Sequence, residues 1–123
     1  SFLLSKSLIP ALSASASPRI IFTSSGVANK GRAFWGAYAV SKAATKSMAE
    51  IFKDELESTS SLKIFNFDPG ATRTSMRAFA YPAEDPSLLK GPQELQKCYE
   101  WFFSKESEIT NDHYFTFNSF KEL

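Results

Sequence analysis

The order of periodicities along the chain constrains its fold more than any other feature. The runs RIIFT at residues 19–23 and LKIFNF at residues 62–67 are rich in β-branched and aromatic residues, and each is followed by small or turn-forming ones, SSG and DPG. Short apolar runs bounded in this way read as strands. Between them, residues 37–58 carry apolar side chains at helical spacing, with Val40, Ala44, Met48, Ile51 and Leu56 as the expected core positions. A strand, a long helix and a second strand form a right-handed crossover that leaves the strands parallel. A parallel sheet needs a helical layer on each face.

The flanking segments extend this pattern. Phe2, Leu3, Leu4, Leu8, Ile9 and Leu12 recur at helical spacing ahead of a small-residue loop at 13–18. Residues 71–91 mix prolines and glycines with apolar and charged side chains and read as loop or short helix. Pro92 is placed to open a further helix at its first turn, with Leu95, Tyr99, Phe102 and Phe103 on one face. Residues 113–118 alternate enough to form a last strand. The expected class is α/β, part of a doubly wound parallel sheet with helices on both faces.

Bulk properties narrow the function. The 123 residues are one domain at most, 43% hydrophobic and 22% charged, an ordinary globular balance. A net charge of +1 gives no electrostatic footprint for nucleic acid or an anionic membrane. No run approaches the roughly 18 apolar residues of a membrane span. The segment SFLLSKSLIPALSASAS superficially resembles a secretory leader, but it lacks a basic start and Lys6 interrupts its apolar run. It is read instead as a helix entered in its middle. The single cysteine, Cys98, has no disulfide or metal-ligand companion, which favours a reducing, cytoplasmic setting and no metal site.

Tyr38 and Lys42 stand at i and i+4, one turn apart on a single helical face. A tyrosine with an ordinary pKa of about 10 is a poor proton donor or acceptor at neutral pH. A neighbouring ammonium favours the phenolate and brings it toward the working range. Ser25 lies at the end of the first expected strand. In parallel α/β sheets ligands gather beyond the carboxyl ends of strands, where Ser25 and the later Gly70 loop would both sit. A serine hydroxyl there can donate to a substrate carbonyl oxygen while the tyrosine handles the proton. Each residue also has a plainer role: Tyr38 as a packed helix aromatic, Lys42 as a solvated charge, Ser25 as a turn or cap. Their joint placement favours the chemistry.

The stretch IIFTSSGVANKGRAFWGAYAVSKAA resembles the serine strand and Y-x-x-S-K helix of the short-chain dehydrogenase/reductase family, and FDPGATRT resembles the P-G loop after that family's next strand. The longer DPGATRTSMRAFAYPAEDP is similar to YciK-type bacterial members. The resemblance covers nearly the whole chain. It implies a Rossmann-like fold and an NAD(P)-dependent oxidoreductase acting on a small carbonyl or alcohol substrate. Tyr38 would be the general acid/base, Lys42 would support the phenolate and bind the nicotinamide ribose, and Ser25 would polarise the carbonyl. Pro69, Gly70, Thr72 and Thr74 would line the nicotinamide, although Thr74 could equally be a helix cap. The cofactor is NADP or NAD, tilted toward NADP by the YciK-type likeness. A homodimer or homotetramer through the first helix and the Tyr38 helix is implied.

The chain departs from the family in lacking the glycine-rich G-x-x-x-G-x-G loop that holds the pyrophosphate; Gly26, Gly31 and Gly36 are wrongly spaced and follow the wrong strand. Residues 1–123 therefore read as the carboxyl-terminal, catalytic half of one such domain, and alone are expected to bind the cofactor weakly or not at all. Asp68 stands where Asn usually precedes Pro-Gly, altering local electrostatics or capping a turn. Two other readings remain at this stage: an inactive fragment that only packs or dimerises, and an epimerase or dehydratase of the extended branch. His113 reads as structural and Cys98 as core. Phe34 and Trp35 either pack on substrate or anchor their loop. Arg73, Met76, Arg77, Phe79 and Tyr81 are candidate substrate contacts.

Overall fold

The structure, a computed structural model, describes residues 1–121. Its elements run α1 (Phe2–Ser13), β1 (Arg19–Thr23), α2 (Gly36–Leu56), β2 (Lys63–Asp68), α3 (Ser75–Ala80), α4 (Gln96–Phe102), α5 (Glu106–Ile109) and β3 (Tyr114–Thr116), with three 3-10 turns between them and a fourth after β3. The three strands form one parallel sheet in the order β1-β2-β3. Phe22 pairs with Asn66 and Asn66 with Tyr114, so these three share one face of the sheet.

The alternation of β2 divides the core in two. Ile64 joins Phe22, Ala49, Phe52 and Leu62 under α1 and α2. Phe65 and Phe67 point the other way into a cluster with Leu95, Cys98, Phe102, Phe115 and Phe120. Phe102, at 0% exposure, lies edge-on to Phe67 (5.4 Å between ring centres) and Phe115 (5.5 Å), the arrangement aromatic quadrupoles favour. Cys98 is buried here, as expected, and burial pushes its thiol up. The base of β1 is tied to this side by the buried Arg19, whose Nε donates to the carbonyl of Phe102 (3.2 Å) and whose Nη2 lies 3.2 Å from Glu108.

Three expectations change. The buried stripe of α2 is Ala49 and Phe52, flanked by Met48 and Leu56; Val40 and Ile51 are 70% and 53% exposed and Ala44 is also exposed. The helix carries two apolar stripes rotated about its axis, and only one meets the sheet. Phe103 is 68% exposed because it lies beyond α4, in the residue that ends the helix. The final strand stops at Thr116, where the Ser119 hydroxyl accepts from the Thr116 N–H (3.1 Å) and turns residues 117–120 into a 3-10 coil. Among the described residues no helix is long and apolar enough to cross a membrane.

Candidate active site

Parallel strands put the carboxyl ends of β1 and β2 at one end of the sheet, and the candidate residues collect there. The N–H of Ser24 donates to the carbonyl of Phe67 (2.7 Å), extending the β1–β2 ladder by one residue. Ser25 is extended (φ −161, ψ 153), half-buried, and opens the 3-10 turn Gly26–Ala28 without spending its hydroxyl on a cap. Tyr38 and Lys42 occupy the first turns of α2, both half-buried, with the Lys42 ammonium 5.8 Å from the centre of the Tyr38 ring. Lys42 Nζ also donates to the carbonyl of Thr23 (2.8 Å). That bond ties the start of α2 to the strand end carrying Ser25.

The loop after β2 has a defined geometry. Asp68 Oδ1 accepts from the N–H of Gly70 (2.9 Å), so the unusual carboxylate closes the Pro69-Gly70 turn. Gly70 adopts φ +67, the left-handed region that disfavours any β-carbon. The Thr72 hydroxyl donates to the carbonyl of Gly70 (3.2 Å), while Thr74 Oγ1 accepts from the N–H of Arg77 and caps α3 (3.2 Å). The cap uses the oxygen as acceptor, so the Thr74 O–H keeps its donor function.

Lys90, which the sequence reading passed over, holds this loop. Its Nζ donates to the carbonyl of Ala71 (2.8 Å), its carbonyl accepts from the N–H of Arg73 (2.8 Å), and its backbone bridges to Thr72. The ammonium lies 4.5 Å over the Phe117 ring. Burial lowers its pKa, against the opposing pull of Asp68 and Glu94. Nothing local marks Lys90 in the sequence, because its partners are backbone atoms far upstream. A second unforeseen tie joins Asn29 Nδ2 to the Tyr114 hydroxyl (2.7 Å) and pins the 3-10 turn after Ser25 to β3. Burial, then the Asp68 carboxylate, holds the Tyr114 phenol above its ordinary value.

On the outer side of Tyr38, Trp35 packs against it at 5.5 Å between ring centres and against Tyr81 at 5.8 Å. The Arg77 guanidinium stacks on Tyr81 at 3.9 Å and makes two hydrogen bonds to Glu84, of 2.6 and 2.7 Å. Arg77 thereby holds the Glu84 carboxyl below its usual range. Met76 and Phe79 are exposed. His113 stands apart, 3.7 Å from Glu50, whose carboxylate is bonded to Lys46 (2.5 Å). Among the described residues no cluster of three or more His, Cys, Asp or Glu is placed to hold a metal.

Comparison with known proteins identifies the family of the chain. The sequence model of the short chain dehydrogenase family matches residues 1–85. The uncharacterized oxidoreductase YciK of Escherichia coli K12 is 43% identical over 106 residues, covering 86% of this chain and 41% of YciK. A short chain dehydrogenase from Salmonella enterica serovar Typhi superposes with a TM-score of 0.88 at 43% identity, over 94% of this chain and 47% of that one. Another from Shigella flexneri 2a, solved in complex with NADP, gives a TM-score of 0.89 at 40% identity, over 95% of this chain and 48% of that one. The chain thus spans less than half the length of these relatives. Within that span it belongs to the short chain dehydrogenase family of oxidoreductases.

Proposed function

We propose that residues 1–123 are the carboxyl-terminal, catalytic half of a single Rossmann-like domain in an NADP(H)-dependent oxidoreductase that interconverts a carbonyl and an alcohol. The observation that carries this reading is the Lys42 ammonium beside the Tyr38 ring, anchored to the end of β1 where Ser25 stands. Tyr38 gives a proton to the carbonyl oxygen in reduction and takes it back in oxidation. Lys42 stabilises the phenolate and presents an ammonium to the nicotinamide ribose. Ser25, with a hydroxyl free of capping duty, donates to the substrate oxygen.

The residues present fit the nicotinamide end of the cofactor. Gly70 at φ +67 leaves the backbone bare at the carboxyl end of β2, so Pro69, Gly70 and Thr72 can approach a flat ring closely, and the Thr74 O–H can meet its carboxamide. When bound, NADP(H) supplies or accepts the hydride. The Shigella flexneri relative solved with NADP supports that choice of cofactor over NAD. The exposed apolar residues Phe2, Leu3, Leu4 and Leu8 of α1, with Val40 and Ile51 of α2, support a homodimer or homotetramer through these helices. The free, buried Cys98 fits a reducing cytoplasm.

The test is Tyr38→Phe in a chain or assembly that oxidises NADPH with a carbonyl substrate. Loss of general acid/base catalysis lowers turnover by about 10²–10⁴-fold with the fold retained. Unchanged turnover would overturn the assignment of Tyr38. Product formation with no net change in cofactor oxidation state would replace it with an epimerase or dehydratase.

A further inference from the structure

The aromatic row running outward from Tyr38 is unused by the proton chemistry and belongs to neither buried core. Trp35 touches Tyr38 on one side and Tyr81 on the other, and both it and Tyr81 are only half-buried. The cation at the far end is spent: Arg77 stacks on the outer ring and is held by both oxygens of Glu84. The row therefore offers the half-exposed aromatic surface of Trp35 and Tyr81 rather than a free charge. Beside it, Phe34 keeps a left-handed backbone (φ 69) with its ring fully exposed. A β-carbon in that region is strained, and strain retained without core packing to justify it points to function.

From these observations we infer that the substrate of this site carries an aromatic or similarly bulky apolar group next to its carbonyl, and that Trp35 and Tyr81 form the wall on which that group packs. The inference rests on the reading of Tyr38 as the proton donor and adds the substrate class. A flat apolar group gains from that half-exposed aromatic surface by burial and by edge-on packing. A small polyhydroxylated or carboxylated substrate would leave it wet and would find Arg77 already paired.

Saturation-transfer NMR on the 123-residue chain tests this without turnover, using acetophenone as the apolar probe and dihydroxyacetone as the polar one. Transfer to the acetophenone ring protons is expected, with none to dihydroxyacetone. Trp35→Ala and Tyr81→Ala should each weaken acetophenone binding by about threefold to tenfold, the loss of one aromatic pair, while Trp35→Phe retains most of it. Should Trp35→Ala fail to fold, Tyr81→Ala, which lies outside α2, together with Trp35→Phe decides the question. Equal transfer to both probes, or acetophenone binding unchanged in Tyr81→Ala, overturns the inference. Tyr38→Phe separates the two readings: it should leave acetophenone binding to the chain intact, while turnover falls in an assembly that oxidises NADPH. Survival of turnover there would sink the catalytic role and leave the wall standing.

Discussion

Substituting Gly70 by alanine tests the geometry of the loop after β2, because two penalties of different origin meet at one atom. At φ +67 an alanine pays about 1–2 kcal/mol for left-handed backbone. Its β-carbon would also lie 3.3 Å from Lys90 Nζ. The lysine end can yield by a few tenths of an ångström, but yielding lengthens its 2.8 Å bond to the carbonyl of Ala71. Because Lys90 is half-exposed, that adds no more than about 1 kcal/mol. The total of about 1–3 kcal/mol corresponds to a melting temperature lower by about 4–12 °C for a domain of this size. Calorimetry on Gly70→Ala, Lys90→Met and the double variant separates the terms. In the Lys90→Met background the Gly70→Ala cost should shrink to its backbone part, a coupling that a double-mutant cycle reads directly. Gly31→Ala is the control: its β-carbon would meet nothing within 4 Å and its φ is not left-handed, so it should be neutral or stabilise by up to about 1 kcal/mol. If Gly70→Ala melted with the wild type, the left-handed turn and the lysine clamp would both be wrong.

Phe102→Ala, at the meeting point of the Phe65, Phe67, Phe115 and Phe120 rings, should cost about 3–5 kcal/mol, read as a lower urea midpoint; a loss under about 1 kcal/mol would contradict the packing described. Hydrogen bonding from Lys46, with the charges of Lys46 and His113, holds the Glu50 carboxyl below its usual range. Its stabilisation is therefore complete above the unfolded value of about 4.3 and is lost as pH falls through the lower folded value. Because Glu50 is part-exposed that contribution is under about 1 kcal/mol, and Glu50→Gln should be less stable than wild type at neutral pH with the gap closing in acid; a pH-independent gap would refute the ion pair. Val40→Lys combined with Ile51→Lys should change stability by no more than about 0.5 kcal/mol yet abolish self-association in sedimentation, and an unchanged mass would count against the helix interface.

What could be read from the sequence followed from local physics. β1 matches the expected strand at residues 19–23, and β2 is shifted by only one residue. Both are short apolar runs ended by turn residues, signals that tertiary packing rarely overrides. Tyr38 and Lys42 were legible as a pair because helical spacing alone puts them on one face. The burying face of α2 was not, since two apolar stripes satisfy the same periodicity and only contact with Phe22 and Ile64 chooses between them. Lys90 and the Asn29–Tyr114 tie were invisible for a related reason. Each joins residues distant in sequence through a single polar contact, which leaves no periodic trace.

The bond from Lys42 to the carbonyl of Thr23 has a consequence for how far the sheet can grow. The N–H of Ser24 points at β2, and the two polar groups of a trans peptide point in opposite directions. The carbonyl of Thr23 therefore faces the outer margin of β1, the side on which the described residues provide no neighbouring strand. By the two-residue repeat of a strand, the carbonyls of Ile21 and Arg19 face the same way. Lys42 occupies the last of these three acceptors. A further strand laid along that margin would have to share the Thr23 carbonyl with Lys42, so this ammonium competes for the last outward acceptor of β1.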